Sequence, residues 1–327
     1  MSIERQTTPH LDRRSQARQL RNWDQLQRNR AADAPVRIHT LGRVGIQLNG
    51  RTVSLAQGRK QRPFEMLKAL LAFGGREVHA ELLSQALWPD VDGDVAQNSF
   101  DVTLYRLRRL FAVKDLFIMQ DRRLTLNNEL AWVDAWEFER LVNHGEYLVN
   151  RSHAPESADE LIAHSDRLLH LYQGPFLERE ALNGWTLGLR ERLRSKLLRY
   201  ILDTGHVWEH CKDWDIAIRL YRKGLEIDPR IEAFYQRMMI CYKASGRTAE
   251  ALATYHHCSD ILQNHLQISP SPETLALYAA LRSCISLSAP RDLEPGGLSL
   301  PLSNPGFHWS RLNASNNASS SPWCAGE

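Results

Sequence analysis

The sequence predicts a mainly helical chain with two ordered parts, an N-terminal α+β domain and a C-terminal all-α domain. Three observations predict this division. Apolar and polar residues alternate near positions 44–55 and 117–126, with the period of β-strands. Between these stretches, and from about Ser157 to Arg282, apolar residues recur every three or four positions, as in amphipathic helices. A period of 34 residues is also visible in the second part.

Composition excludes several classes of protein. The 327 residues carry 41 Lys and Arg against 38 Asp and Glu, a formal charge of +3, and 43% are hydrophobic. This length favours two domains. No apolar run reaches about 18 residues, and no secretory signal is seen, so we expect a cytoplasmic protein without membrane contact. The five cysteines are widely spaced and form no CxxC pair, which indicates neither a disulfide framework nor a zinc site.

The first ordered element is a β-hairpin. Residues 1–34 are polar and predict a disordered arm, although a short helix there is an alternative. The strand pattern of Val44–Leu48 meets Asn49-Gly50 and resumes at Val53–Leu55. Asn-Gly between two alternating runs predicts a tight hairpin turn, because both turn residues need a positive φ.

Three helices then follow. Pro63 suits a first helical turn, and Phe64, Leu67, Leu70 and Leu71 share a face that ends at Gly74-Gly75. The second helix runs from about Ala80 to Trp88. Asp94 is the expected N-cap of a third helix that ends near Phe111. Spacing predicts that the third helix points these residues inward: Ala96, Phe100, Leu104, Leu107 and Phe111.

A small β-ribbon follows the third helix. Phe117–Met119 and Leu124–Leu126 alternate, and the polar turn Gln120–Arg123 between them carries two arginines. The order of hairpin, three helices and ribbon predicts a winged helix-turn-helix in residues 35–145, with the ribbon as its wing.

The second domain, residues 146–285, is predicted to be tetratricopeptide-like. At a spacing of 34 residues, Trp208 aligns with Tyr242 and Ala217 with Ala251. We expect helices near 157–172 and 273–283 to flank these two units. Residues 286–327 are rich in Ser, Asn, Pro and Gly and predict a disordered tail.

The third helix carries the clearest functional signal. From Val102 to Lys114 there are four basic residues and no acid. A helix fits the major groove of DNA, and arginine reads guanine with two hydrogen bonds. A merely solvated basic face is the alternative, but the position as helix three before an arginine-tipped ribbon favours DNA binding.

Signals for an enzyme are poor. The sequence has no GxxxxGKS/T, GxGxxG, GxSxG or HExxH motif. His206, His210 and Cys211 lie near one helix face, but no further ligand stands at a matching spacing. We therefore expect neither catalysis nor a cofactor nor a metal, and a metalloenzyme that uses these three residues is a remote hypothesis.

Several motifs resemble bacterial transcriptional activators of the antibiotic-regulatory-protein type. The N-terminal motifs are LLSQALWPD at 82–90, NSFDVTLYRLRR at 98–109 and VDAWEF at 133–138. The motifs LYQGPFL at 171–177, DWDIAIRLY at 213–221 and ISPSPET at 268–274 are similar to the bacterial transcriptional activator domain. The resemblance spans about residues 36–283, and the motifs occur in the order of the family.

The resemblance implies a DNA-binding transcriptional regulator. In this family, helix three enters the major groove of double-stranded DNA, sites are direct repeats, and the protein contacts RNA polymerase. A homodimer on DNA is therefore expected. The residues that the resemblance places at DNA are Asn98, Ser99, Val102, Thr103, Tyr105, Arg106, Arg108 and Arg109, with Arg122 and Arg123 in the wing. The wing lacks the Gly-x-Gly-Tyr signature of response regulators, and Asn98 stands where they usually have a basic residue.

We expect Arg106 and Arg108 to do most of the base reading. The alternative function is a tetratricopeptide adapter whose winged helix docks protein rather than DNA. The nearly balanced charge of residues 36–150 is the observation that favours this alternative.

Overall fold

The computed structural model describes residues 34–53, 61–151, 158–180 and 183–288. Residues up to Arg282 belong to one compact unit, and a second unit begins at Ser283, of which only the end of the last helix is described. The predicted disordered arm and tail lie outside the described residues, apart from Ala34 and residues 286–288. In the described ranges, no helix is long and apolar enough to cross a membrane.

The fold begins with an open four-stranded sheet whose strands come from the start and the end of the N-terminal domain. Its strands are β1 (Val36–His39), β2 (Gly45–Leu48), β3 (Arg51–Thr52) and the late β7 (Ala131–Val133), in the order β3-β2-β1-β7. Strands β1, β2 and β3 are antiparallel, and β7 pairs parallel to β1. Asn49 and Gly50 have φ of 48° and 77°, which confirms the predicted hairpin turn.

Three helices follow this sheet and pack against one another: α1 (Gln61–Ala72), α2 (Ala80–Leu87) and α3 (Gly93–Phe111). All the predicted inward residues of α3 are buried, which confirms its orientation. The predicted N-cap Asp94 is wrong, because α3 begins at Gly93 and Asp92 occupies the cap position. Asp94 instead lies in the first turn, where its negative charge interacts favourably with the positive end of the helix dipole.

The predicted ribbon is a sheet of three strands, β4 (Val78–His79), β5 (Phe117–Gln120) and β6 (Arg123–Leu126), in the order β4-β6-β5. The wing turn is shorter than the predicted Gln120–Arg123, since Gln120 and Arg123 pair in the ladder. The turn residues are Asp121 and Arg122, with φ of 48° and 58°. Strand β4 leads directly into α2, so the wing is anchored to the three-helix core.

The C-terminal part contains seven helices among the described residues. They are α4 (Asp134–Arg151), α5 (Ala158–Leu171), α6 (Leu187–His210), α7 (Trp214–Ile227), α8 (Glu232–Ala244), α9 (Thr248–Leu266) and α10 (Pro272–Ser288). The pairs α6–α7 and α8–α9 are the two repeat units. Ala217 and Ala251 are fully buried where helices cross, as small residues in tetratricopeptide units are expected to be.

Close packing explains Gly205 in the first repeat unit. A Cβ atom at Gly205 would lie 2.3 Å from Cε1 of Tyr221, which is buried. The Tyr221 hydroxyl donates a 2.5 Å hydrogen bond to Oε1 of Glu209, so the ring is held in place. The absence of a side chain at Gly205 therefore lets α6 and α7 approach closely.

The sequence predicted helices throughout from Ser157 to Arg282. This prediction is wrong for the segment between α5 and α6. Between α5 and α6 it contains the short 3-10 helices Glu178–Glu180 and Gly184–Thr186, and Phe176 forms a β-bridge with Leu41. Gly42 lies against this segment with φ of 82°, and a Cβ there would be 3.0 Å from the backbone of Gln173. The interruption has a physical reason, since this segment pairs with the N-terminal sheet.

A buried carboxylate fixes the same junction. Asp134, the first residue of α4, accepts hydrogen bonds from the backbone N–H groups of Thr40 at 2.7 Å and Leu41 at 2.9 Å. It also accepts one from the Thr40 hydroxyl at 2.6 Å. In addition, Leu177 N–H donates to the Thr40 carbonyl at 2.8 Å, and Lys68 of α1 forms an ion pair with Glu180. The sheet, α1 and the helical part are thus joined by directional contacts.

Candidate nucleic-acid interface

The outward face of α3 is presented to solvent by the packing of its inner face. Phe100, Leu104 and Leu107 are buried against α1 and α2, which leaves the opposite side of the helix free. Val102 is 41% and Tyr105 is 61% exposed, although both side chains are large and apolar or aromatic. Exposed groups of this kind beside arginines fit a contact surface better than a solvated helix face.

Six of the predicted DNA-facing residues form one continuous surface, which we call the outer stripe. The outer stripe consists of Asn98, Ser99, Val102, Tyr105, Arg106 and Arg109. All are exposed except Ser99, which is half-buried, and none is acidic. The guanidinium carbon of Arg109 lies 5.9 Å from the Tyr105 ring centroid, so the aromatic ring helps to orient this arginine.

A second row of α3 faces the wing instead. Arg108 donates from Nη2 to the carbonyl oxygen of Phe117 in β5, at 2.9 Å. From the wing tip, Arg122 donates from Nη2 to Oε1 of Gln97 at 2.7 Å, and Gln97 donates in turn to Oδ1 of Asp101 at 3.3 Å. Residues 97, 101 and 108 are four and seven positions apart and therefore share one side of the helix. We call them the wing-side row.

Thr103 does not belong to either surface. It is only 5% exposed, because it lies three residues after Phe100 and four before Leu107 on the inner face. The expectation that Thr103 faces DNA is therefore corrected.

The two wing arginines both reach solvent but have different surroundings. Arg122 is tied to Gln97, as described above, and its carbonyl oxygen accepts a hydrogen bond from Ala80 N–H at 2.8 Å. Arg123 in β6 lies with Nη1 4.0 Å from Oε2 of Glu77, and both side chains are largely exposed. An exposed pair at this distance holds the arginine weakly, so Arg123 is available for another anion.

The role of Gln97 was missed by sequence reasoning. Gln97 precedes the outer stripe on α3, but its partner Arg122 is 25 residues away. The only local signal is that Gln97 precedes Asp101 by one helical turn, a spacing at which the two side chains meet. The link between helix and wing appears only in the folded chain.

The remote metal hypothesis receives no geometric support from the described residues. His210 places Nδ1 2.7 Å from the carbonyl oxygen of His206, so this ring is engaged with the backbone. Burial lowers the pKa of His206, and Arg237 adds to this effect. No group of three His, Cys, Asp or Glu side chains in the described ranges is arranged to hold a metal ion.

Comparison with known proteins gives a family match and six matching solved chains. Residues 133–282 match the family described as "Bacterial transcriptional activator domain". The fold is also similar to a solved structure of Mycobacterium tuberculosis EmbR in complex with a low affinity phosphopeptide. The TM-score is 0.60 at 18% identity, over 77% of this chain and 66% of the EmbR chain. This chain thus spans slightly less than two thirds of that protein. No curated protein sequence matches the chain significantly.

Proposed function

Because residues 133–282 match the bacterial transcriptional activator domain and follow a winged helix-turn-helix, we propose that the chain is a sequence-specific DNA-binding transcriptional activator. The match agrees with the resemblance to activators of the antibiotic-regulatory-protein type. The observation that carries the proposal is the outer stripe, an acid-free surface of α3 with two exposed arginines beside the wing. The function of the EmbR protein adds no weight, since that similarity concerns the fold.

In the proposed complex, the outer stripe enters the major groove. Arg106 is the base reader, because its guanidinium is exposed and matches the O6 and N7 acceptors of guanine. Asn98 and Ser99 at the start of the stripe donate to phosphate oxygens, and so does Arg109, oriented by Tyr105. Val102 supplies an apolar contact of the kind that thymine methyl groups accept.

We assign Arg108 a positioning role rather than the reading role expected from the sequence. Its hydrogen bond to Phe117 holds β5 against α3, and Arg122 holds the tip of the wing to Gln97. These two contacts set the angle between helix and wing before DNA arrives. The wing then offers Arg123 to a phosphate, because this side chain has only a weak ion pair with Glu77.

The proposal includes a homodimer on direct repeats. A single module of this kind buries only about 600–1,000 Å² on DNA, which limits both affinity and site length. Two copies on adjacent half-sites in the same orientation double the contact. Sedimentation of the complex with DNA that has one or two half-sites tests this part, and we expect two protein chains on the longer DNA only.

Contact with RNA polymerase is proposed for the helical part. Stacked helix pairs offer an extended surface for a protein partner. Transcription in vitro with purified bacterial RNA polymerase should rise when the full chain is added to a promoter with its site. An unchanged transcript level on a bound promoter contradicts the proposed activation. It does not contradict the proposed reading of DNA sequence.

The main test is selection of DNA from a random-sequence library. We expect wild-type protein to enrich short direct repeats, and the double variant Arg106→Ala/Arg109→Ala to enrich none at about 150 mM salt, where phosphate contacts alone bind weakly. The matched control is Arg51→Ala/Arg179→Ala, since both residues are exposed arginines outside α3 and the wing. Thermal unfolding of each variant checks that it is folded.

The same selection distinguishes the proposed function from the rival function. Enrichment of the same sequences by wild type and the Arg106→Ala/Arg109→Ala variant shows that α3 is not the reader. No enrichment by folded wild-type protein favours the tetratricopeptide adapter, whose winged helix docks protein.

A further inference from the structure

A cleft of about 1010 Å³ lies where the N-terminal sheet meets the helical part. Arg37, His39 and Trp132 line it from β1 and β7, and Glu137, Arg167 and His170 line it from α4 and α5. Small-molecule sites in proteins commonly have volumes of about 300–1,000 Å³ and combine aromatic walls with a few polar groups. The cleft therefore has the size and lining of a ligand site.

One wall of the cleft is formed by Trp132 with the cationic side chain of Arg37 over its ring. The guanidinium carbon of Arg37 lies 5.1 Å from the centroid of the Trp132 ring. The His39 ring meets the same indole edge-on, with centroids 5.3 Å apart. A flat, delocalised ligand fits against such a wall by stacking.

The charge of Arg37 is not neutralised by an acid. Across the described ranges, neither Arg37 nor Arg43 at the rim makes an ion pair, and Nε of Arg37 is buried without a hydrogen-bond partner. Glu137, in contrast, is already paired with Arg167 at 2.8 Å and with Arg140 at 2.6 Å. A guanidinium held by stacking alone offers its remaining N–H groups to an anion.

The acids at the cleft leave a positive balance. The carboxylate of Asp134 is occupied by Thr40 and Leu41. In the part of the chain that the structure describes, Glu178 is then the only lining acid with neither an ion pair nor a hydrogen bond. Its single negative charge stands against the two positive charges of Arg37 and Arg43. An anionic ligand thus meets two uncompensated cations and one acid.

We propose that this cleft binds a small aromatic carboxylate, whose ring stacks at Trp132 and whose carboxylate pairs with Arg37. The site is independent of the outer stripe. Its residues come from both sides of the junction, so a bound ligand contacts the DNA-binding part and the helical part at once.

The test is isothermal titration calorimetry with 1-naphthoate and indole-3-acetate, and with 1-naphthamide as the neutral analogue. We expect saturable binding of at least one carboxylate with a stoichiometry of one. The amide should bind about tenfold or more weakly, because it cannot form the charged pair with Arg37. Saturating carboxylate should also raise the thermal unfolding midpoint, since it binds the folded state.

Variants separate the site from unspecific binding. Arg37→Gln should weaken carboxylate binding about tenfold or more, whereas Arg51→Gln, an exposed arginine in the same sheet, should change it less than about twofold. Arg43→Gln at the exposed rim gives a second measurement of carboxylate affinity, and this one does not depend on the packing of Arg37. We expect it to weaken binding about threefold, because a rim charge is partly screened.

Three results overturn the proposal. They are no saturation by either carboxylate up to about 10 mM, equal affinity for the amide, and unchanged binding by both Arg37→Gln and Arg43→Gln. The experiment contains no DNA, so its failure leaves the proposed transcriptional function untouched.

Discussion

Replacement of Asp134 by Ala should destabilise the chain by about 3–5 kcal/mol. The variant removes the acceptor of three hydrogen bonds that come from Thr40 and Leu41. These residues are only 1% and 3% exposed, so water cannot replace the lost acceptor without opening the junction. A buried donor left without a partner costs about 1–3 kcal/mol, and three donors together give the stated range after partial relaxation.

Two further variants remove only part of the hydrogen bonding and should cost less stability. Asp134→Asn keeps one acceptor oxygen and should cost about 1–3 kcal/mol, and Thr40→Val removes only the hydroxyl and should cost about 1–2 kcal/mol. The assay is urea unfolding followed by far-ultraviolet circular dichroism, with the midpoint compared at unchanged slope. A cost below about 1 kcal/mol for Asp134→Ala refutes the reasoning, because the junction would then not depend on this carboxylate.

Two more predictions concern the helical part. Gly205→Ala should destabilise by about 1–3 kcal/mol, because its Cβ would collide with the fixed Tyr221 ring. Gly188→Ala on the same helix has open space and should be neutral or stabilising by up to about 1 kcal/mol, and equal thermal shifts for the two variants contradict the packing argument. Burial alone would raise the pKa of Asp228, but hydrogen bonds from Arg230 and Arg194 lower it to about 2. Since this folded pKa is below the ordinary 3.8, its stabilisation of about 2 kcal/mol is present above pH 4 and lost as pH falls towards 2. Urea unfolding of Asp228→Asn should therefore differ from wild type at pH 7 and converge with it in acid, and a constant difference contradicts this.

The local parts of the fold could be predicted because short sequence patterns determine them. The Asn49-Gly50 turn needs two positive φ angles, which this pair adopts readily. The inner face of α3 follows from helical spacing, whereas the residues of the outer stripe were placed at DNA by the family resemblance. The mainly helical fold class with an N-terminal winged helix-turn-helix is confirmed, whereas the domain boundaries at 145/146 and 285/286 stay predictions.

What could not be predicted depends on contacts between distant residues. The pairing of β7 with β1, the bridge from Leu41 to Phe176 and the hydrogen bond from Arg108 to Phe117 have no signature in any single segment. Thr103 was placed at DNA by the family resemblance alone, and its position between Phe100 and Leu107 on the inner face of α3 buries it. The roles of the outer stripe and wing residues at DNA remain proposals.

The most direct test of the proposed DNA reading is the affinity of Arg106→Ala for a selected site and for a scrambled sequence, measured by fluorescence anisotropy across salt concentrations. We predict a loss of about 1–3 kcal/mol on the selected site and little change on the scrambled one, because Arg106 is assigned to a base. Arg109→Ala serves as the comparison and should weaken both sequences alike, with a salt slope reduced by about one. An equal loss on both sequences for Arg106→Ala, or no loss at all, contradicts the assignment of α3 as the reader of DNA sequence.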